Sequence, residues 1–157
     1  MGQVRERKMV LKRSYLGLFI IIFSSILIVG ACSNRNIVTN AAEGKDEESL
    51  GSKYGFTFLD LSADTNEMKE ALKVTYDEKK DKTEAMYENK IDGYYLHGNA
   101  AMEKLDKIFE ELALDPEMED TDMIKIASEA FEINDYKSLK LDVKFKGFDT
   151  KKLRMTK

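Results

Sequence analysis

Residues 138–146, SLKLDVKFK, alternate between apolar and polar side chains with a period of two. One face of an extended chain then carries only large apolar residues, namely Leu139, Leu141, Val143 and Phe145. The other face carries lysines and an aspartate. Such alternation is typical of a strand in an antiparallel sheet that has one covered face and one solvated face. The chain must therefore supply further strands and a cover for the apolar face.

Three stretches nearer the amino terminus have the same period: 54–61 (YGFTFLDL), 70–78 (EALKVTYDE) and 83–91 (TEAMYENKI). Apolar and polar residues alternate over most of each stretch, as is typical of strands. In the first stretch Leu59 and Leu61 shift the phase of the alternation, which suits a bulge or a strand end. The charged residues 79–82 (KKDK) separate the second stretch from the third and favour a turn. The sequence thus predicts a meander of three strands that precedes the strand at 138–146.

Between these strands the apolar period changes to that of a helix. After Asn99, which is a good N-cap, apolar residues recur three or four positions apart as far as Leu112. A second amphipathic helix is predicted from about Thr121. The predicted order is β-β-β-α-α-β. We therefore expect an α+β fold in which an antiparallel sheet of about four strands carries two helices packed on one face.

The amino terminus has the parts of a bacterial export signal. Residues 1–14 are basic, and residues 15–31 form an uncharged apolar stretch. The stretch ends in Val-Gly-Ala-Cys at 29–32, which looks like the lipobox of bacterial lipoproteins. A lipobox predicts cleavage between Ala31 and Cys32 and a diacylglyceryl group on the Cys32 sulfur. The alternatives are an uncleaved membrane anchor and conventional cleavage.

The lipobox divides the chain into a signal peptide (1–31), a flexible acidic tether (32–52) and a folded domain (53–157). The tether is rich in Asn, Ser, Gly and acidic residues and has few large apolar ones. Cys32 is the only cysteine, so lipidation leaves no thiol for catalysis or for a disulfide. The predicted location is the extracytoplasmic face of the cell membrane, where the two acyl chains of the lipid hold the protein.

Charge argues against nucleic acid as a partner. The chain has 25 basic and 29 acidic residues. Residues 1–31 contain five of the bases and one of the acids, which leaves 20 bases against 28 acids and a net charge of −8 for residues 32–157. Binding to a phosphate backbone requires a positive surface. We therefore expect no nucleic acid, and a membrane association that depends on the lipid.

The sequence has no group of residues that is typical of catalysis. His97 is the single histidine, whereas nucleophilic catalysis needs a base, a nucleophile and an orienting group, and zinc needs three or four His or Cys ligands. Glycine-rich phosphate loops and the Gly-x-Ser-x-Gly motif do not occur. We therefore predict that the protein is not an enzyme and that it has no cofactor besides the lipid on Cys32.

The acidic stretch at 115–122 (DPEMEDTD) offers the carboxylates that a hard cation such as Ca²⁺ prefers. The candidate ligands are Asp115, Glu117, Glu119, Asp120 and Asp122. The stretch lacks the glycine and the bidentate glutamate of an EF-hand loop. The alternative is that the acids cap the second helix and interact with its dipole. We predict no metal site, with these five residues as the candidates if one exists.

The aromatic pair Tyr94 and Tyr95, followed by His97, is the predicted interaction patch. Aromatic residues are enriched at interface hot spots, although they also pack across neighbouring strands. The leading hypothesis is a non-enzymatic interaction module of the cell envelope whose partner is an envelope or secreted protein. The alternative is a lipoprotein that binds a small ligand or a divalent cation.

Four stretches together resemble one known family. They are the aromatic first strand YGFTFLDL, the charged hairpin EKKDKTEAMYEN, the helix GNAAMEKLDKIFEELAL and the closing strand YKSLKLDVKF. These stretches are similar to the YusW-like family, which comprises small lipoproteins of Bacillus and its relatives without a defined activity. The resemblance covers about residues 54–146, and the lipobox agrees with it. The resemblance implies a small folded domain and the location of a lipoprotein. It does not assign a function to any residue.

Overall fold

The computed structural model describes residues 35–40 and 49–157. Within these residues the chain forms six strands and two α-helices. In chain order they are β1 (Phe56–Asp64), β2 (Leu72–Glu78), β3 (Thr83–Asn89), β4 (Tyr94–His97), α1 (Asn99–Leu112), α2 (Asp120–Ala130), β5 (Ser138–Phe145) and β6 (Lys151–Thr156).

The strands form one antiparallel sheet in the spatial order β4-β3-β2-β1-β5-β6. β1 pairs with β2 on one side and with β5 on the other, so it joins the amino-terminal meander to the carboxy-terminal hairpin. The register places one apolar residue of every strand in a row across the sheet: Leu96, Tyr87, Val74, Leu61, Leu141 and Leu153. Because directly opposed side chains share a face, the row forms a continuous apolar surface.

Both helices cover this apolar face. α1 contacts β3 and β4, and α2 contacts β5 and β6. Their buried side chains belong to the same core as the row of strand residues. Phe109 of α1 packs edge-on against Tyr54, Phe56 and Tyr76, with ring centroids 5.1 to 5.3 Å apart. Edge-to-face packing of this kind adds to the stability that burial provides.

The prediction of an α+β fold with an antiparallel sheet and two helices is confirmed, but the prediction of about four strands is wrong. The sheet in the described residues has six, and the two additional strands, β4 and β6, lie at its edges. β4 has four residues, of which Tyr94 and Tyr95 are exposed, and β6 buries only Leu153. An edge strand has a neighbour on one side only and buries few side chains, so its apolar alternation is weak.

Residues 35–40 are hydrogen-bonded to β3 beyond the end of β4. The amide of Val38 donates to the carbonyl of Thr83, and the carbonyl of Asn36 accepts from the amide of Ala85, both at 2.8 Å. The side chain of Val38 is buried. We call residues 35–40 the docked segment.

The docked segment falls in the range for which the sequence predicts a flexible tether. In the structure these six residues are held by the domain, because the β-branched pair Ile37 and Val38 favours an extended, buried conformation. Asn99 also differs from the prediction, since the N-cap of α1 is Gly98. The Asn99 side chain instead donates to Thr39 Oγ1 at 2.6 Å and accepts from the amide of Asn40 at 3.3 Å.

Gly98 connects β4 to α1 directly beside the docked segment. Its φ of +57° and ψ of −128° form a conformation that L-residues with a side chain rarely adopt. A Cβ at this position would lie 2.5 Å from the carbonyl oxygen of Ile37. Glycine is therefore required both by the turn and by the close approach of the docked segment.

Replacing Gly98 by Ala tests this close approach. We expect Gly98→Ala to lower the free energy of unfolding by about 1–3 kcal/mol more than Gly93→Ala. Gly93 also has a positive φ, of +74°, but a Cβ there meets nothing within 4 Å, so the control has only the backbone strain. Urea denaturation of both variants measures the difference. Equal losses in the two variants would show that the docked segment does not constrain position 98.

Candidate functional site

Tyr94 and Tyr95 are exposed on the edge strand β4. Their exposed fractions are 47% and 57%, and Ile91, in the turn before β4, is 56% exposed. Because successive residues of a strand point to opposite faces, the two tyrosines flank the edge of the sheet. Tyr94 lies on the helix side, with its ring 6.5 Å from that of Tyr87. Tyr95 lies on the uncovered face opposite Glu88. We call Ile91, Tyr94 and Tyr95 the edge patch.

His97 is largely covered, with 14% of its side chain exposed. Its Nδ1 lies 2.7 Å from Asn36 Oδ1, and its Nε2 lies 4.0 Å from Glu88 Oε1. The bond to Asn36 links β4 to the docked segment. The structure therefore gives His97 a structural contact next to the edge patch and leaves little of its surface for a partner.

The five acidic residues of the stretch 115–122 have separate surroundings. Asp115 Oδ1 accepts a hydrogen bond from the amide of Glu117 at 2.8 Å, and Asp120 Oδ1 lies 3.5 Å from Lys151 Nζ. Asp120 and Asp122 lie in the first turn of α2, where negative charge interacts favourably with the helix dipole. Glu119 occupies the N-cap position but makes no side-chain capping bond.

Within residues 35–40 and 49–157, no group of three or more His, Cys, Asp or Glu side chains could hold a metal ion. None of the helices formed by these residues is long and apolar enough to cross a membrane. The predicted lipidation and cleavage residues, Cys32 and Ala31, lie outside the described residues.

A cleft of about 380 Å³ lies between the docked segment, the ends of β2 and β3 that adjoin their shared turn, and the first two turns of α1. Sequence reasoning did not identify it. Its apolar walls are the side chains of Val38, Tyr54, Tyr76 and Met102. Its charged groups are Lys53, Glu78, Glu103 and Asp106. Volumes of about 300–1,000 Å³ are typical of small-molecule sites.

Lys53, Tyr54 and Asp106 form a network at one wall of the cleft. Lys53 Nζ lies 2.9 Å from Asp106 Oδ1, and the Tyr54 hydroxyl donates to the same oxygen. Burial and the bond to the Asp106 carboxylate raise the pKa of Tyr54 to about 12. Burial opposes ionisation of Asp106, but the hydrogen bonds from Tyr54 and Lys53 outweigh it and hold the Asp106 pKa below its ordinary value.

Glu78 closes the cleft from β2 and is 7% exposed. Its Oε2 accepts a hydrogen bond from the amide of Gly51 at 2.9 Å. Burial and the neighbouring Glu78 carboxylate raise the pKa of Tyr76. Three carboxylates and one lysine give the cleft an excess of negative charge.

A family profile described as YusW-like protein matches residues 57–147. The chain belongs to the YusW-like family. The resemblance found in the sequence is thereby confirmed, and the match extends from β1 to the end of β5. Neither curated proteins nor solved structures match the chain. In this YusW-like chain the docked segment, Lys53 and Tyr54 lie outside the matched range, so only part of the cleft lies within it.

The lowered pKa of Asp106 gives a pH-dependent contribution to stability. A carboxyl whose pKa is lowered on folding stabilises the protein above its unfolded pKa, near 3.9 for Asp, and this contribution is lost as the pH falls through the folded value. We expect Asp106→Asn to be less stable than wild type at pH 7 by at most about 1 kcal/mol, because the Asp106 side chain is 40% exposed and solvent screens its contacts. The difference should shrink below about pH 4. Urea denaturation across this range measures it. Glu110→Gln, at an exposed position on the same helix, is the control. A difference in stability that stays the same from pH 7 to below pH 4 would contradict the lowered pKa of Asp106.

Proposed function

We propose that this YusW-like protein is a lipoprotein anchored to the extracytoplasmic face of the cell membrane by a diacylglyceryl group on Cys32. The support is the sequence at 29–32, which follows a basic start and an apolar stretch as a lipobox should. Two acyl chains suffice for stable anchoring, whereas one does not. No other cofactor enters the proposal.

The docked segment limits how far the domain can stand from such an anchor. Three residues separate Cys32 from Asn36, whose carbonyl is bonded to β3. Four extended residues span at most about 14 Å. A lipid on Cys32 would therefore keep the attachment point of the domain close to the bilayer.

We further propose that the domain is a non-enzymatic interaction module that binds an envelope or secreted protein through the edge patch. The observation that carries this proposal is the clustering of three exposed large apolar residues within five positions of one sheet edge, 91–95. Soluble proteins rarely expose such residues together without an interaction to cover them. Tyrosine is also enriched among the residues that dominate binding energy.

The outer edge of β4 adds a second means of recognition. Among the described residues no further strand pairs with it. A partner segment in an extended conformation can add to such an edge through main-chain hydrogen bonds, while side chains such as Tyr94 and Tyr95 provide selectivity. We assign no catalytic role to His97, because Asn36 and Glu88 lie next to its two ring nitrogens.

Binding of a small ligand is the second candidate function. The cleft beside α1 favours it, since a cavity with both apolar walls and charged groups is typical of ligand sites. For a divalent cation the described residues offer no comparable cluster.

Mass spectrometry of the mature protein tests whether Cys32 carries the lipid. Trypsin should release residues 32–35 as a peptide that begins with Cys32 and carries the diacylglyceryl mass, because Arg35 is the first basic residue after the cleavage site. Cys32→Ser should accumulate as the longer precursor. A mature amino terminus at any other residue, or wild-type protein that keeps its first 31 residues, would contradict the anchor.

The edge patch is tested by crosslinking in intact cells followed by affinity capture. We expect the double variant Tyr94→Ser, Tyr95→Ser to lose a captured envelope protein by at least about ten-fold, the effect of a hot-spot residue. Phe148→Ser is the matched control, since Phe148 is 52% exposed in the turn between β5 and β6 at the other side of the sheet. Capture that is equal in the double variant and the control would refute the patch as the binding surface.

A further inference from the structure

The cleft beside α1 combines carboxylates with aromatic and aliphatic walls. Its acidic groups are Glu78, Glu103 and Asp106, against the single base Lys53. Three carboxylates against one ammonium give a formal net charge of about −2. A concave site with this charge attracts cations and disfavours anions.

Two of the carboxylates project into the same part of the cleft. Glu103 and Asp106 are three residues apart on α1, which places them on one side of the helix. Among the described residues Glu103 makes no hydrogen bond or ion pair, and both bonds to Asp106 fall on Oδ1. The Glu103 carboxylate and Asp106 Oδ2 are therefore available to a ligand in the described part of the chain.

The ammonium group of Lys53 already contacts this wall of the cleft. Its ammonium lies 4.9 Å from the centroid of the Tyr54 ring and 2.9 Å from Asp106 Oδ1. An aromatic face and a carboxylate each attract an ammonium group. The chain thus places a cation of its own at the rim of the cleft.

We propose that the cleft binds a small organic cation, with an ammonium group between Glu103 and Asp106 and a short apolar body against Val38, Tyr76 and Met102. The volume of about 380 Å³ is at the lower end for ligand sites, which favours a small molecule over an extended one. The thioether of Met102 and the tyrosine rings suit the apolar body because they are polarizable. This site is separate from the edge patch and does not depend on it.

The test is an NMR titration of the full-length ¹⁵N-labelled protein in a non-ionic detergent. The probes are n-butylammonium, n-butanol and butyrate, which share one apolar body and differ in charge. We expect saturable shifts at the amides of residues 102–106 and 76–78 with butylammonium. Its Kd should be at least about ten-fold lower than that of butanol, the ratio expected for a charge-assisted hydrogen bond. Equal affinities of the cation and the alcohol, or no saturable binding of the cation, would overturn the proposal.

Two variants assign the binding to the cleft. Glu103→Gln should raise the Kd of butylammonium at least about five-fold, because it removes a carboxylate that contacts the ammonium. Lys53→Met should lower that Kd, because it removes the competing cation from Asp106 and Tyr54. Glu110→Gln, an exposed change on the same helix outside the cleft, should leave it unchanged. The proposal fails if either Glu103→Gln or Lys53→Met leaves the Kd at the wild-type value.

Discussion

The pairing of β1 with β5 holds this domain together, because it is the one strand contact between the first four and the last two strands of the described sheet. Asp64 secures one end of it: the amide of Glu70 and the hydroxyl of Ser138 bind its carboxylate, at 2.8 and 2.9 Å, and lower its pKa. Asp64 and Ser138 are 74 positions apart. Bringing residues so far apart in the chain together costs loop-closure entropy. Burial of the apolar row beneath the helices offsets this cost.

With β1 in the interior of the sheet, the edges are left to β4 and β6, the strands with the fewest buried residues. The same arrangement places α1 over β3 and β4. The beginning of α1 therefore forms a wall of the cleft, while the strand next to it remains open at its outer edge. The cleft and the edge patch thus both depend on the position of α1 over β3 and β4.

The sequence predicts those parts of the fold that have a local apolar period. Leu139, Leu141 and Val143 are fully buried because every second position of β5 faces the core, and the alternation alone reveals it. The cleft has no such signal, since Val38, Glu78 and Asp106 come from three separate segments that meet only in the folded chain. Likewise, the role of His97 depends on Asn36, which is 61 positions away and belongs to no periodic pattern. Local periodicity describes burial, whereas these contacts depend on topology.

The two candidate surfaces lie at opposite ends of β3. The edge patch adjoins Asn89, and the cleft adjoins Thr83. Six residues of extended chain separate these ends by about 20 Å, and the side chains of the two surfaces share no described contact. Sites at this separation with no common partner usually act independently. If both proposals hold, a protein at the edge patch and a small cation in the cleft would therefore bind together, the first through aromatic and main-chain contacts and the second through carboxylates of α1.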